Sequence, residues 1–318
     1  MKTPVLLVWL PVLAGAAALP LLVADYTLYR FTDALVFGIA ILGLNLLTGI
    51  SGQFSIGHSA FFAIGAYTVG ILTVHYGLSP YLALPLSAVS GFIFGFLFGW
   101  PALRFGIVHL ALVTWGLALT VPRLLKAEPF DRLTGGVQGL YLERPDAPFG
   151  LPLSGDQWWY LVALTVLAIS AFLIGNLMQG RTGRALKALR DHPDAALTMG
   201  INVPLYRTTV FGVSGAAAGI AGGLSGLLAD YVAPDTYSIF LGIALLIGAV
   251  AGGITTLSGA FVGGLVVEFL PDVAGMLSRS VSFPVYGLLL IVLIIAMPHG
   301  IVPGVRRLFD RVRGRKRD

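Results

Sequence analysis

The sequence predicts an all-α, polytopic integral membrane helical bundle with about ten hydrophobic segments and with both termini in the cytoplasm. Composition is the first observation behind this prediction: 57% of the 318 residues are hydrophobic and 11% are charged, so too little polar surface exists to cover a soluble globule. The second is that apolar runs near the length of a membrane-crossing helix recur along the chain. The third is the uneven distribution of Lys and Arg between the polar joints, which predicts the orientation.

The apolar runs are separated by short polar segments. They cover residues 4–23, 34–47, 60–74, 80–100, 107–121, 161–178, 208–229, 239–253, 257–270 and 284–297. Residues 25–33 are expected to form a polar joint between the first two runs. The runs at 239–253 and 257–270 are short, so they form either two thin crossings or one helical hairpin that enters the membrane and returns.

The basic residues indicate how the chain is oriented. With the N-terminus inside and ten crossings, fourteen of the twenty Lys and Arg residues fall on the cytoplasmic side, whereas only four of the fifteen Asp and Glu residues do. Cytoplasmic loops of membrane proteins carry such an excess of Lys and Arg. The net charge of +5 is therefore explained by orientation in the membrane, and it does not indicate a nucleic-acid partner.

A single transmembrane domain is expected over residues 1–305. It contains a cytoplasmic segment at 179–207 and an extracytoplasmic loop at 123–157, and the aromatic residues 158–160 that follow this loop are typical of the membrane interface. A basic cytoplasmic tail at 306–318 completes the chain. Its Arg and Lys side chains suit the anionic lipid headgroups of the membrane surface.

The segment 179–207 is the one long polar break in the C-terminal half, and it predicts a short amphipathic helix. At 3.6 residues per turn, one side carries polar residues and the other apolar residues. The polar side is formed by Arg184, Lys187 and Asp191, and the apolar side by Ala185, Leu186 and Leu189. The alternative is an ordinary positively charged cytoplasmic loop.

A sharp corner is predicted directly after this helix. His192 and Pro193 end the helix, Pro193 suits the first position of a second small helix over residues 194–199, and Gly200 can end that helix in a left-handed conformation. The small residues Ala195 and Ala196 are expected on the exposed side, where they would let the corner enter a cleft of another protein.

A polar patch at residues 48–59 is the other unusual stretch, because it lies between apolar runs and contains several glycines. Irregular backbone at membrane depth is tolerated only where it meets protein or water. Together with Asn45, which lies just before the patch, Gln53, Ser55, His58 and Ser59 form the densest set of hydrogen-bonding side chains near the apolar runs. Two interpretations are open: these side chains line a path for a polar solute, or they satisfy the backbone of a kinked helix.

Enzymatic sites are not indicated. No lysine follows a glycine, so the phosphate-binding pattern G-x-x-x-x-G-K-[ST] is absent from the sequence, and the five histidines show no metal-ligand spacing. Ionisable residues inside a membrane usually mark function, and Glu268 is the one clear candidate here. It lies close to Pro271 and Asp272, so it is interpreted as reaching the outer interface. An ion-coupled carrier generally needs more such groups than this chain offers.

Glycines at four-residue spacing predict close helix packing. One such stripe contains Gly91, Gly95 and Gly99, a second contains Gly215, Gly219 and Gly223, and a shorter one contains Gly248 and Gly252.

Two motifs together resemble a known family. Residues 194–200 (DAALTMG) are similar to the E-A-A-x-x-x-G loop of ABC importer permeases, with Asp in place of Glu. Residues 48–62 (TGISGQFSIGHSAFF) are similar to the T-G-x-x-G-Q-x-S-x-G-H-x-A-F-F signature of branched-chain amino acid permeases of the LivM type. The likeness extends over about residues 34–298 and includes Gly183 and Arg184.

The resemblance implies one half of a translocation pathway, paired with a homologous LivH-type permease in a bacterial inner membrane. Two ABC ATPase subunits would hold ATP and Mg²⁺, with no cofactor on this chain, and an extracytoplasmic solute-binding protein would deliver the substrate. In that picture the ATPase-coupling residues are Gly183, Arg184, Asp194, Ala195, Ala196 and Gly200, and the candidate pathway residues are Asn45, Gln53, Ser55 and His58.

Other functions stay open at this point. Residues 134–140 resemble the family's T-G-G-x-x-G-L element but lack its frequent Asp, and relatives of this family also move urea, amides and other small polar solutes. A stand-alone secondary carrier or solute channel is a competing class, and it would need no ATPase. A structural membrane partner without a pathway of its own is a third.

Overall fold

The computed structural model describes residues 15–102, 107–148, 152–277 and 282–312. The helices are α1 (Asp25–Leu44), α2 (His58–Val74), α3 (Pro80–Ala102), α4 (Ile107–Leu125), α5 (Asp131–Thr134), α6 (Gly155–Gln179), α7 (Arg181–Asp191), α8 (Pro193–Thr198), α9 (Val203–Leu228), α10 (Ile239–Gly252), α11 (Leu257–Leu277), α12 (Ser282–Ala296) and α13 (Ile301–Val312). A π-helical turn, Asn45–Ile50, continues α1, and short 3-10 turns lie at Leu19–Leu21, Glu128–Phe130 and Pro234–Tyr237. Strands β1 (Leu140–Tyr141) and β2 (Tyr231–Val232) form one antiparallel pair, with Leu140 opposite Val232.

The all-α membrane fold is confirmed in the part of the chain described. Five helices are long and apolar enough to cross a membrane, and a sixth follows if α4 and the bent segment Glu128–Thr134 count as one span. Three further apolar helices have 10–17 residues each. The first apolar run, 4–23, lies mostly outside the described residues, so the count of ten and the cytoplasmic termini stay predictions.

Two helices form the centre of the bundle. In the span formed by α1 and its π turn, 83% of an apolar stretch of 18 residues is buried inside the protein, and in α9 the value is 78%. The corresponding values for α3, α6 and α11 are between 28% and 33%, so these helices form the periphery. Helix α9 packs on α1, α2 and α3, and it also contacts the π turn, α7 and α8, so both polar segments of the sequence meet this helix.

The predicted glycine stripes are confirmed as packing surfaces. Gly95 of α3 faces α9 so closely that an added Cβ would lie 2.7 Å from the carbonyl oxygen of Phe211 and 3.1 Å from the Cα of Gly212. Gly248 of α10 meets α11 in the same manner, with an added Cβ 2.9 Å from the carbonyl oxygen of Gly263. A side chain at Gly95 would push the helices apart, because the neighbouring atoms belong to backbone, and at Gly248 it would also meet the side chains of Val267 and Ile41.

Several boundaries differ from the sequence prediction. The prediction of a polar joint at 25–33 is wrong, since these residues form the first turns of α1. The predicted loop at 123–157 contains regular secondary structure, because α4 extends to Leu125 and β1 pairs with β2. Helix α11 continues through Pro271 to Leu277, so it is longer than predicted and is long and apolar enough to cross a membrane by itself.

The bundle has two chemically different ends. Helix α6 has 25 residues and therefore spans about 38 Å, so the segments on either side of it lie at opposite ends of the molecule. The end with β1 and β2 is called the sheet end here, and the end with α7, α8 and α13 the basic end. Helix α13 begins at Ile301 and crosses the predicted boundary between domain and tail at residue 306.

The aromatic residues at the start of α6 do not form a lipid-facing belt. Trp159 is 0% exposed and Tyr160 is also buried. The Trp159 indole donates to the carbonyl of Pro145 at 3.0 Å and its ring stacks on Tyr81. The carbonyl of Pro145 satisfies the indole N–H, so Trp159 can be buried without losing a hydrogen bond. The cluster therefore stabilises the packing at the sheet end.

Candidate functional site: the corner and the broken helix

The corner, residues 192–202, has the backbone that the sequence predicts. Helix α7 ends at Asp191, because the φ and ψ of His192, −146° and 81°, leave the helical region, and Pro193 occupies the first turn of α8. Gly200 has a φ of +79°. The amide of Gly200 donates to the carbonyl of Leu197 and that of Ile201 to the carbonyl of Ala196. Such reversed bonds satisfy the last carbonyls of a helix and turn the chain sharply.

The amphipathic interpretation of α7 is confirmed. Leu186 and Leu189 are buried, whereas Arg184 and Lys187 are exposed. Gly183 lies directly against the end of α6, where an added Cβ would meet the carbonyl oxygen of Leu177 at 2.7 Å. This position therefore sets the angle between α6 and α7, since any side chain would separate them.

The exposed side of α8 differs in part from the prediction. Asp194 and Ala195 are exposed, but Ala196 is 4% exposed, so its expected place on the outer side is wrong. Its side chain faces inward because a helix of one and a half turns must bury one side to stay folded. Sequence reasoning missed Leu197 and Met199, which are 54% and 84% exposed. The available signal was two large apolar residues in a short predicted helix whose other residues are small or polar.

The polar patch forms a break between α1 and α2. Helix α1 widens into the turn Asn45–Ile50, and the chain then runs without helical structure from Gly52 to Ser55. Residues 51–57 are called the polar strand here. Along it Ser51, Gln53 and Ser55 are buried, whereas the intervening Phe54 and Ile56 are half-buried. This two-residue alternation is what an extended chain produces.

Hydrogen bonds inside the protein hold the polar strand. His58 is fully buried, with Nδ1 3.1 Å from Ser55 Oγ and Nε2 2.6 Å from Ser214 Oγ on α9. Gln53 Nε2 donates to Ser51 Oγ at 2.8 Å and to the carbonyl of Arg207 at 3.3 Å. Neutral imidazole has one donor and one acceptor nitrogen, so it can bridge the two serine hydroxyls.

Asn45 is attached to a different element. Its Nδ2 donates to the carbonyl of Thr256, in the turn between α10 and α11, at 2.9 Å. Its Oδ1 is buried and has no hydrogen-bond partner among the described residues. The four candidate pathway residues are thus buried, and they bond to serine hydroxyls and to carbonyls of α9 and of the α10–α11 turn. Contact of these side chains with a solute stays a prediction.

Glu268 has a partner that the sequence did not reveal. The Arg30 guanidinium donates to the Glu268 carboxylate and, at 2.8 Å, to the Glu268 carbonyl, and it reaches Asp272 at 2.5 Å. Arg30 also lies 5.1 Å from the centre of the Phe269 ring. The charge at residue 268 is therefore explained by an ion pair that joins α1 to α11.

A shallow polar cavity of about 520 Å³ opens at the sheet end. Arg144 lies in its wall and donates to Asp156 at 2.8 Å, with Asp230 at 3.9 Å. The nearby glycine-rich turn has left-handed φ angles at Gly135 and Gly139. Among the described residues, no group of three or more His, Asp or Glu side chains is placed to hold a metal ion.

Comparison with known proteins gives the family. Residues 26–297 match the family described as "Branched-chain amino acid transport system / permease component". The chain is 31% identical to the "High-affinity branched-chain amino acid transport system permease protein LivM" of Escherichia coli K12, over 92% of this chain and 73% of that protein. It is 28% identical to the "Probable branched-chain amino acid transport permease protein LivH" of Methanocaldococcus jannaschii, over 82% of this chain and 86% of that protein.

A relative with a different printed substrate also matches. The chain is 26% identical to the "Autoinducer 2 import system permease protein LsrD" of Enterobacter sp. 638, over 91% of this chain and 90% of that protein. No solved structure matches the chain. The family match covers most of the residues and includes both the broken helix and the corner, so this chain belongs to the branched-chain amino acid transport system permease component family.

Proposed function

We propose that this chain is one of two permease subunits of an ATP-driven importer for branched-chain or related amino acids in a bacterial inner membrane. Its partners would be a homologous LivH-type permease, two cytoplasmic ABC ATPases and an extracytoplasmic solute-binding protein. The family and the LivM and LivH relatives support the permease role. ATP and Mg²⁺ would be held by the ATPases, since the sequence has no G-x-x-x-x-G-K-[ST] pattern.

The observation that carries the ATPase contact is the exposed apolar tip of the corner. Leu197 and Met199 lie outside the core, and exposed polar residues are close to them in the chain, among them Asp191, His192 and Asp194. Exposed apolar side chains rimmed by polar residues mark protein contacts, and a Met side chain adapts its shape to a groove. The corner is thus suited to enter a cleft of an ATPase subunit, with Asp194, Ala195 and Gly200 shaping it.

The basic end is proposed to face the cytoplasm. Arg181, Arg184, Lys187 and Arg190 lie on α7, and α13 with its following residues carries seven more basic side chains. An excess of Lys and Arg on the cytoplasmic side is the general rule for membrane proteins. The ATPases would then meet the corner, and the solute-binding protein would meet the sheet end with its polar cavity.

The ATPase contact can be tested by purification and transport in liposomes. The complete assembly is expected to take up a branched-chain amino acid only with ATP, and the chain alone is expected to be inactive. Met199→Asp should reduce the amount of co-purifying ATPase, because it places a charge in an apolar contact. Val137→Asp is the matched control, since Val137 is also exposed, at 68%, but lies at the sheet end. Equal ATPase recovery from both variants would contradict the docking role of the corner.

A second candidate is import of another small polar solute by the same mechanism. The LsrD relative, whose printed name refers to autoinducer 2, supports it because the likeness extends over 91% of this chain. A competition assay with labelled leucine against urea, amides and autoinducer 2 in the complete assembly distinguishes the two. Uptake by the chain alone, without ATP, would instead support a stand-alone carrier or channel.

A further inference from the structure

The end of α7 is attached directly to the broken helix. Arg190, one residue before the last of α7, donates from Nη1 to the carbonyl oxygen of Gly49 at 2.5 Å. Gly49 lies in the π turn that continues α1. The carbonyls at the end of a helix lack intrahelical donors, so a guanidinium is well suited to supply one. This contact joins residues 141 positions apart in the chain.

The same side chain also covers the start of the polar strand. Gly52 has a φ of +72°, and an added Cβ would lie 2.8 Å from Cγ of Arg190. The stem of Arg190 therefore rests on Gly52 while its guanidinium holds Gly49. Because both contacts come from one side chain, a movement of α7 acts on both sides of the point where the helix breaks.

Gly49 and Gly52 are also restricted by what surrounds them. An added Cβ at Gly49 would collide with the carbonyl of Ile254, in the turn between α10 and α11. Asn45 bonds to Thr256 of the same turn at 2.9 Å. The π turn thus lies between the α10–α11 turn on one side and Arg190 on the other, so a shift of α7 is not absorbed by empty space there.

A chain of hydrogen bonds leads from this point to the middle of the bundle. Gln53 bonds to the carbonyl of Arg207, in the first turns of α9, which lies beyond the corner. Ser55 then contacts His58, the first residue of α2, and His58 contacts Ser214. Both chain ends of the corner therefore hold the polar strand: α7 through Arg190, and α9 through Gln53.

We propose that Arg190 is a positioning residue that transmits movement of the corner to the polar strand and, through it, to the start of α2. This inference rests on the proposed function, since it takes the corner as the site where the ATPase acts. Coupling of this kind needs an element with two arrangements that both sites bias, and the irregular strand between two helices is that element. Phe54 and Ile56, the half-buried residues of this strand, would then move with the corner.

The first test uses the complete assembly in liposomes and compares solute imported with ATP hydrolysed. Arg190→Ala is expected to keep ATP hydrolysis within about twofold while lowering uptake by about tenfold, a change typical of lost coupling between sites. Arg190→Lys keeps one charged donor and should recover part of the uptake. Lys187→Ala is the matched control, because Lys187 is an exposed basic residue of the same helix, and it should leave the ratio unchanged.

A second measurement does not depend on transport. The chain has no cysteine, so spin labels can be attached at single introduced cysteines, one at Phe54 and one at Ile93 on the outer face of α3. Nucleotide binding to the complete assembly should change the Phe54–Ile93 distance in the wild-type background. In Arg190→Ala that distance should no longer respond to nucleotide, although the assembly still binds it.

The outcomes are separable. If Arg190→Ala leaves the uptake-to-hydrolysis ratio and the distance change as in the wild type, the inference is overturned and the proposed function stands. If Arg190→Ala no longer assembles with the ATPase, the inference is also overturned, because Arg190 would be holding the corner itself. If the wild-type assembly shows no ATP-dependent uptake at all, the proposed function fails independently of Arg190.

Discussion

His58 Nε2 on the first turn of α2 lies 2.6 Å from Ser214 Oγ in the middle of α9. Both side chains are fully buried, and the other ring nitrogen of His58 contacts Ser55. A histidine that the sequence offered as a pathway candidate thus ties the broken helix to the central helix of the bundle. Its first measurable role is therefore in the stability of the fold.

Replacing His58 is expected to lower stability. His58→Ala leaves the hydroxyls of Ser55 and Ser214 without their shared partner, and each unsatisfied buried group costs about 1–3 kcal/mol. The loss adds to that from the cavity left by the ring. Thermal unfolding in detergent measures it, with His299→Ala as a control because His299 is exposed. Wild-type stability combined with lost uptake would instead place His58 in the pathway.

The left-handed backbone at Gly200 predicts an effect confined to the corner. Gly200→Val forces a β-branched residue to a φ of +79°, which costs about 1–2 kcal/mol, although an added Cβ would meet nothing within 4 Å. Uptake should fall relative to ATP hydrolysis while the protein stays in the membrane. Asn tolerates this conformation better, so Gly200→Asn should be milder.

Gly77 provides the matched control for this substitution. Its φ is +62° and an added Cβ would also meet no atom within 4 Å, but it follows α2 at the sheet end. Gly77→Val should strain the backbone to a similar degree without changing the ratio of uptake to hydrolysis. A similar loss of coupling in both variants would show that general strain, and not the corner, is responsible.

The charge at residue 268 is expected to matter little for transport. Glu268→Gln keeps the shape of the side chain, and Arg30 retains Asp272 at 2.5 Å and the Glu268 carbonyl at 2.8 Å. We expect uptake close to wild type and a stability loss of at most about 1.5–3 kcal/mol, the range for a hydrogen bond to a charged group. Substrate transport and thermal unfolding check this, and abolished uptake with normal stability would move Glu268 into the pathway.

Labelling from each side of the membrane tests the orientation. The chain has no cysteine, and Met199 and Val137 are exposed at opposite ends, at 84% and 68%. Met199→Cys should react with a membrane-impermeant maleimide only from the cytoplasm, and Val137→Cys only from outside, because the basic end is expected inside. The reverse pattern would overturn both the orientation and the proposed ATPase contact.

Local features of the chain were predictable because they depend on neighbouring residues. The proline after His192 and the glycine at residue 200 restrict their own backbone, so the corner followed from residue type alone. The glycine stripes on α3 and α9 were equally visible, since their spacing places them on one side of a helix. What the stripes face was not visible, and the structure shows that these two meet each other.

Errors arose where a distant partner changes the meaning of a residue. Asp25, Arg30 and Asp33 look like a solvated joint in isolation, yet Arg30 pairs with Glu268, 238 positions away, and lies within α1. Ala196 resembled Ala195 in the sequence, but only one of the two can face outward from a helix that packs against the protein. The direction of each side chain was therefore the part that residue type did not indicate.

By itself the sequence determined that this is an all-α membrane protein with a sharp polar corner and a glycine-rich break between apolar runs, because length, composition and backbone preference act locally. Tertiary structure alone decided that Gln53, Ser55 and His58 point inward and that Arg190 reaches Gly49. The physical reason is that an extended strand offers two equivalent faces, and only the helices packed on either side determine which of them is buried.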